Sequence, residues 1–211
     1  LSKKGQRTTK KVDKSDSPAE IENIMKMVKK ITLKLLILLG IMAKKQYIDV
    51  EIDKLTNSIV NTISGEVFET EFSRVSSKEI KKKDWVFDWH KELKDKNNQV
   101  YKMTTVENKT VIQGLVSFRK DEGFVFINLI ESAYFNRGKE KLYEGVGGNM
   151  FAFACKTSKD AGFGGFVSFI SKTSLMEYYN KSLGAIRTIG QRMVILDNDA
   201  EQLIERYFKN K

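Results

Sequence analysis

Cysteine, histidine and proline are almost missing from this 211-residue chain, which carries one of each. The single Cys155 cannot close an internal disulfide, so nothing asks for an oxidising compartment, and a reducing cytoplasm is the expected setting. With His90 the only imidazole, His-rich metal sites are excluded and no metal is expected. Any Ser-His-Asp or Cys-His mechanism would have to run through that one ring. Long hydrophobic runs are lacking as well. The stretch from Leu35 to Ala43 falls short of the roughly 18 apolar residues that a transmembrane helix needs, and Lys44-Lys45 stand where a signal peptide would carry small cleavage-site residues. No internal repeat or low-complexity tract interrupts the body of the chain.

What is present is enough apolar and aromatic material for one globular domain, at 41% hydrophobic and 10% aromatic residues. The net charge of +10 is unevenly placed: residues 1–45 hold twelve Lys/Arg against four Asp/Glu, while the rest hold twenty-five against twenty-three. The body is therefore nearly neutral, and the excess lives in a basic arm that could meet nucleic acid or an anionic membrane surface. Residues 1–17 are too polar to offset their ordering entropy and read as disordered. A helix is expected from Ser17-Pro18, with Ile21, Ile24, Met25, Val28 and Ile31 at helical spacing. Met42-Ala43-Lys44-Lys45 resembles a natural amino terminus, so a second expectation is that residues 1–41 lie outside the functional protein. Two regions follow from this: an extension over 1–45 and a domain over 46–211.

Within the domain the spacing predicts a helix over 53–62, a strand over 66–75, and a helix capped by Ser76 or Ser77 that carries Ile80, Trp85, Trp89 and Leu93 on its apolar face. Lys81-Lys82-Lys83 would be its solvated side, and both tryptophans are assigned to the core. Three strands with short turns, at 99–106, 111–119 and 124–133, make an antiparallel meander. A helix over 146–158, a strand over 166–171, a helix over 174–181, a strand over 193–197 and a helix over 200–208 complete the chain. A strand, a glycine turn, a helix and another strand in that order imply a parallel crossover.

Gly145-Val146-Gly147-Gly148-Asn149 opens the helix over 146–158, where backbone amides can face a phosphate with no side chain in the way. The same glycines also suit a plain turn. The pattern is neither GxGxxG within alternating βαβ units nor a P-loop, which would require Gly-Lys-Ser/Thr.

Taken with the meander before it and the segment Ser174-Leu175-Met176-Glu177-Tyr178-Tyr179-Asn180-Lys181-Ser182-Leu183-Gly184-Ala185 after it, this turn resembles the GNAT acyltransferase superfamily as a divergent member. The resemblance covers roughly residues 99–197. It implies an α/β fold with a mixed, mostly antiparallel sheet flanked by helices, acetyl-CoA as cosubstrate, and transfer of an acetyl group to an amine. Gly145-Val146-Gly147 matches the second half of the family's Gln/Arg-x-x-Gly-x-Gly/Ala loop. Leu142 replaces its Gln/Arg, leaving Lys139 or Lys141 to serve in its stead.

The resemblance further implies Tyr179 as general acid, with Tyr178 as the competing phenol, and Glu131 as the base, unless it only pairs with Arg137 or Lys139. It implies backbone contacts to the pantetheine arm from Leu129, Ile130 and Ser132, phosphate contacts from the glycine turn, and a cofactor contact from Lys172, where the family often has Asn. Cys155 reads as a core thiol and His90 as a surface or core-rim residue. The rival reading keeps the fold without catalysis, as a nucleic-acid-binding protein gripping phosphates through residues 1–45.

Overall fold

Alternating apolar and polar residues, punctuated by tight turns, lay the middle of the chain down as sheet. The computed structural model describes residues 58–208 and, ahead of them, Glu22, residues 26–28 and residues 30–32, which are helical and exposed. Most of the basic arm, the segment 35–43 and the division at residue 45 lie outside the described residues. No helix among the described residues is long and apolar enough to cross a membrane.

Among the described residues ten strands form two sheets. In chain order they are β1 (Ile59–Asn61), β2 (Val67–Phe68), β3 (Thr70–Arg74), β4 (Gln99–Thr105), β5 (Gly114–Asp121), β6 (Phe124–Ser132), β7 (Tyr143–Glu144), β8 (Val167–Ile170), β9 (Ile186–Arg187) and β10 (Arg192–Ile195). The large sheet runs β3-β4-β5-β6-β8-β10-β9, and the small one β2-β1-β7. Every pairing in the large sheet is antiparallel except β6 with β8. This is the mixed, mostly antiparallel sheet expected, and the one parallel pair is the crossover through the helix that follows the glycine turn.

Within residues 58–208 four α-helices flank the sheet: α1 (Trp89–Lys94), α2 (Val146–Asp160), α3 (Met176–Leu183) and α4 (Asp197–Phe208). The main core joins Val116, Phe118, Val125 and Ile127 of the sheet to Met150, Phe151, Tyr179 and Leu203 of α2, α3 and α4. Side chains alternate across a strand, so the neighbours of these strand residues face the other way. There Leu115 and Leu129 pack with Trp89 at one end, while Phe124 and Phe126 pack with Phe166, Ile170 and Val194 at the other.

Two expected helices are corrected. Of the helix expected over 53–62, residues 53–57 lie outside the described residues, but Ile59–Asn61 is a strand. Its buried Ile59 points into the core, and Asn61 Oδ1 accepts the amides of Ile63 and Ser64 to start the turn back to β2. The helix expected after Ser76 is instead two 3-10 turns, Ser77–Glu79 and Lys82–Asp84, a bend at 86–87, and then the short α1. The chain bends there instead of continuing as helix because the Val86 and Phe87 amides are held by the distant Glu131 carboxylate.

Candidate functional site

Strands β6 and β8 pair only at Val125↔Val167 and Phe126↔Ser168. Beyond that point β6 continues to Ser132 while β8 stays with β10, so a gap opens between them. Its cause lies in β6. The β5–β6 register runs Phe118↔Ile127 and then Ser117↔Leu129, which leaves Asn128 as an extra residue. Such a bulge bends its strand and increases the local twist. Three partners fix Asn128: Arg119 donates to its Oδ1 at 2.6 Å, and its Nδ2 donates to Asn98 Oδ1 at 2.7 Å and, more weakly, to Ser117 at 3.5 Å.

Hydrogen-bonded and non-bonded pairs alternate along an antiparallel ladder. Ala133 N–H donates to the Gln113 carbonyl, which places Leu115/Glu131 and Ser117/Leu129 among the bonded pairs. The backbone groups of Leu129 are therefore spent on β5, so Leu129 is not the pantetheine contact expected of it. Those of Ile130 and Ser132 point into the gap, and the Ser132 carbonyl there accepts Arg137 Nε–H at 2.8 Å.

The glycine turn abuts this gap. Gly145 takes φ +86°, a left-handed conformation that a β-carbon would oppose, and this conformation lets β7 break directly into α2. Val146, Gly147 and Gly148 supply the first-turn amides that a helix leaves without an intrahelical acceptor, and all three residues are buried. The Asn149 N–H and Nδ2 both donate to the Gly145 carbonyl at 3.0 and 3.1 Å, and its Oδ1 accepts from Thr70 at 3.1 Å, so it closes the turn and keeps one Nδ2 hydrogen beyond these bonds. Lys139 is exposed, whereas Leu142 and Lys141 are held through their carbonyls by Thr62.

The two phenols separate clearly. Tyr179 is fully buried, with its ring 5.6 Å from Phe151 of α2 and 5.5 Å from Phe169 of β8. Tyr178 is partly exposed. Because Phe169 follows the last residue that β8 pairs with β6, Tyr179 stands beside the point where the strands part. Lys172 is exposed just ahead of the 3-10 turn leading into α3. Cys155 is buried, and desolvation pushes its thiol far above the ordinary range. His90 is half-buried, its Nδ1 2.8 Å from Ser77 Oγ.

Glu131 occupies a position that its sequence did not disclose. Its side chain is 4% exposed. Oε1 accepts from Val86 N–H and Arg137 Nη2, both at 2.7 Å, and Oε2 accepts from Trp89 Nε1 at 2.7 Å and Phe87 N–H at 3.3 Å. A carboxylate has about four lone-pair sites, and four donors fill them. To serve as the expected base Glu131 would have to displace one of these donors, which favours an anchoring role. The pairing with Arg137, foreseen as the alternative, is present at 2.7 Å.

Sequence reading missed Arg137 as a site residue and the bulge at Asn128. Arg137 carries a faint signal, a lone arginine five residues beyond the end of a strand. A bulge depends on register, which residue types do not reveal.

Among the described residues no group of His, Cys, Asp and Glu could hold a metal ion. No family model matches the chain, and no curated protein matches it by sequence. Solved structures do resemble it. An IAA acetyltransferase from Bacillus cereus ATCC 14579 is 14% identical over 60% of this chain and 99% of its own, with TM-score 0.42. A spermidine N-acetyltransferase from Vibrio cholerae in complex with CoA and spermine is 11% identical over 63% and 98%, with TM-score 0.44. A probable acetyltransferase of the GNAT family from Chromobacterium violaceum ATCC 12472 is 10% identical over 76% and 98%, with TM-score 0.45.

Proposed function

We propose that the domain transfers an acetyl group from acetyl-CoA to an amine by direct attack. The carrying observation is the gap between β6 and β8 beside the first turn of α2. An unpaired strand edge recruits an extended, amide-bearing partner through main-chain hydrogen bonds, and pantetheine is such a partner. Ile130 and Ser132 would pair with it along the edge. The amides of Val146, Gly147 and Gly148 would take its pyrophosphate, because a helix amino terminus favours anions. With Leu142 in the loop, that contact rests on backbone more than on a side chain, and Lys172 is assigned to the cofactor from its exposed place before α3.

Acetyl-CoA when bound supplies a thioester carbonyl open to attack. The neutral amine nitrogen forms the new C–N bond and sheds its surplus proton to solvent, and the C–S bond breaks. Tyr179 donates its phenolic proton to the departing sulfur and recovers it from the product thiol, which ionises as it leaves. Its supports are its location beside the parting strands and its exclusion from water. Glu131 acts by position, tying Trp89, residues 86–87 and Arg137 to the end of β6.

Calorimetric titration with acetyl-CoA, followed by a thiol-release screen over amine classes, tests the reading. Binding at micromolar to millimolar cofactor and release with at least one amine are expected; no binding at millimolar cofactor removes it. Tyr179→Phe should lower turnover about 100-fold or more, within the usual range for a proton donor, with cofactor affinity kept. Unchanged turnover would remove its assignment.

A further inference from the structure

Resting on that reading, we propose that the acceptor is a small amino-carboxylate, an amine whose own carboxylate is held by Arg137. The guanidinium is pinned along one edge, with Nε on the Ser132 carbonyl at 2.8 Å and Nη2 on Glu131 at 2.7 Å. The Ser132 carbonyl faces the gap, so the guanidinium sits at its mouth. Two anchors on one edge fix the plane of the group and leave three N–H donors without an acceptor among the described residues. With 35% of the side chain exposed, a ligand can reach them. A fixed guanidinium with an open edge is the geometry that takes a carboxylate through two parallel hydrogen bonds.

The surroundings favour the same ligand. Val86 and Tyr134 are 75% and 68% exposed. Val86 is tied by its amide to the carboxylate that Arg137 holds, and Tyr134 lies three residues before Arg137 in the chain. A small molecule at the mouth thus meets one oriented cation beside apolar surface. A polyamine would need a free carboxylate there, and Glu131 is saturated and already neutralised by Arg137. The second positive charge of such a substrate would face the guanidinium directly.

The test uses the full chain with acetyl-CoA in a thiol-release assay over matched acceptors: free amino acids, the same amino acids as carboxamides, and linear polyamines. Acids should exceed their amides by about 10- to 100-fold in kcat/KM, the range for one charge-assisted contact, and polyamines should be poor. In Arg137→Gln the acid-to-amide ratio should fall to within about threefold of one, through KM rather than kcat, and Arg137→Lys should restore part of it. The ratio is internal to each protein, so a general loss of activity from disturbing Glu131 does not mimic the effect. If Arg137→Gln fails to fold, the wild-type ratio decides. Turnover with equal preference for acids and amides, or a preference for polyamines, overturns the inference alone. Acetyl-CoA binding without thiol release from any acceptor overturns the inference together with the acyl-transfer reading.

Discussion

Replacing Glu131 by glutamine separates an anchor from a base. The change is isosteric but turns one oxygen into a donor. Whichever way the amide is placed, two of the four present donors lose their acceptor: Val86 N–H and Arg137, or Trp89 and Phe87 N–H. Leaving a buried donor unsatisfied costs about 1–3 kcal/mol each. The carboxylate is 4% exposed but Arg137 is 35% exposed and Val86 75%, so water repays part of what they lose, and the pair costs less to break than a fully buried one, at about 3–5 kcal/mol. A loss of about 2 kcal/mol is expected. Urea unfolding of wild type and Glu131→Gln at neutral pH measures it, with Trp89 emission, whose indole N–H loses or changes its partner, as an independent local signal. If Glu131 were instead the base, stability would barely move while the pH profile of the amine step shifted. A variant within about 1 kcal/mol of wild type and with an altered pH–rate profile would refute the anchoring argument.

Glu79 predicts an acid-sensitive increment of stability. Hydrogen bonds from Lys102 and then Ser76 lower its carboxyl from the ordinary 4.5 to about 2. A depressed folded-state value means that the contribution is fully present above 4.5 and fades as pH falls toward 2. Melting curves across that window should show a smaller loss in Glu79→Gln than in wild type, and identical losses would remove the assignment; the partial exposure of the pair keeps the effect modest and weaker in salt. Cys155, buried with its thiol pushed up by desolvation, should resist alkylation in the folded protein and react once the chain is unfolded in denaturant, so rapid native labelling would contradict its placement. Gly114→Ala would bring a β-carbon 2.8 Å from Met150 Sδ and 3.2 Å from Val146 Cγ1. The flexible Met can yield but the β-branched Val at the start of α2 cannot easily do so, hence a stability loss of about 1–2 kcal/mol with weakened acetyl-CoA binding. A variant equal to wild type in both measurements would show that α2 does not rest on Gly114 as described.

The meander and the helix after the glycine turn were legible because their signals are local. Residues 99–133 alternate and turn within a few positions of each other, and the observed strands 99–105, 114–121 and 124–132 lie close to the expected ones. The parallel crossover followed from order alone. The failures share a different cause. Val86 and Trp89 find the Glu131 carboxylate across 45 and 42 residues, so the bend before α1 and the saturation of Glu131 are one long-range fact that no local window contains. The periodicity of 53–62 suited a helix, yet Ile59 and Val60 are β-branched and find ladder partners in β2 and β7. Pairing with distant strands overrode the helical spacing.

The gap between β6 and β8 is held open by the fold itself. On the Trp89 face, Arg119, Asn98 and Ser117 grip the bulged Asn128, and Ser117 and Asn98 in turn donate to the buried Glu92 of α1 at 2.7 and 2.9 Å. Straightening β6 would break several buried and half-buried polar contacts at once, each about 1 kcal/mol. On the opposite face Phe169, where β8 turns away, is wedged against Phe151 and Tyr179, so closing the strands would also disrupt aromatic packing. Both faces therefore oppose zipping, and the edge of Ile130 and Ser132, where only the Ser132 carbonyl is engaged, by Arg137, exists before any ligand arrives. A ligand that pairs with this edge meets backbone groups already oriented and does not bear the cost of ordering them. Arg137, tied to Ser132 and Glu131 at the end of the same strand, inherits that rigidity. This places the proposed acceptor contact at a fixed offset from the edge, and a fixed offset is what direct transfer between two bound substrates requires.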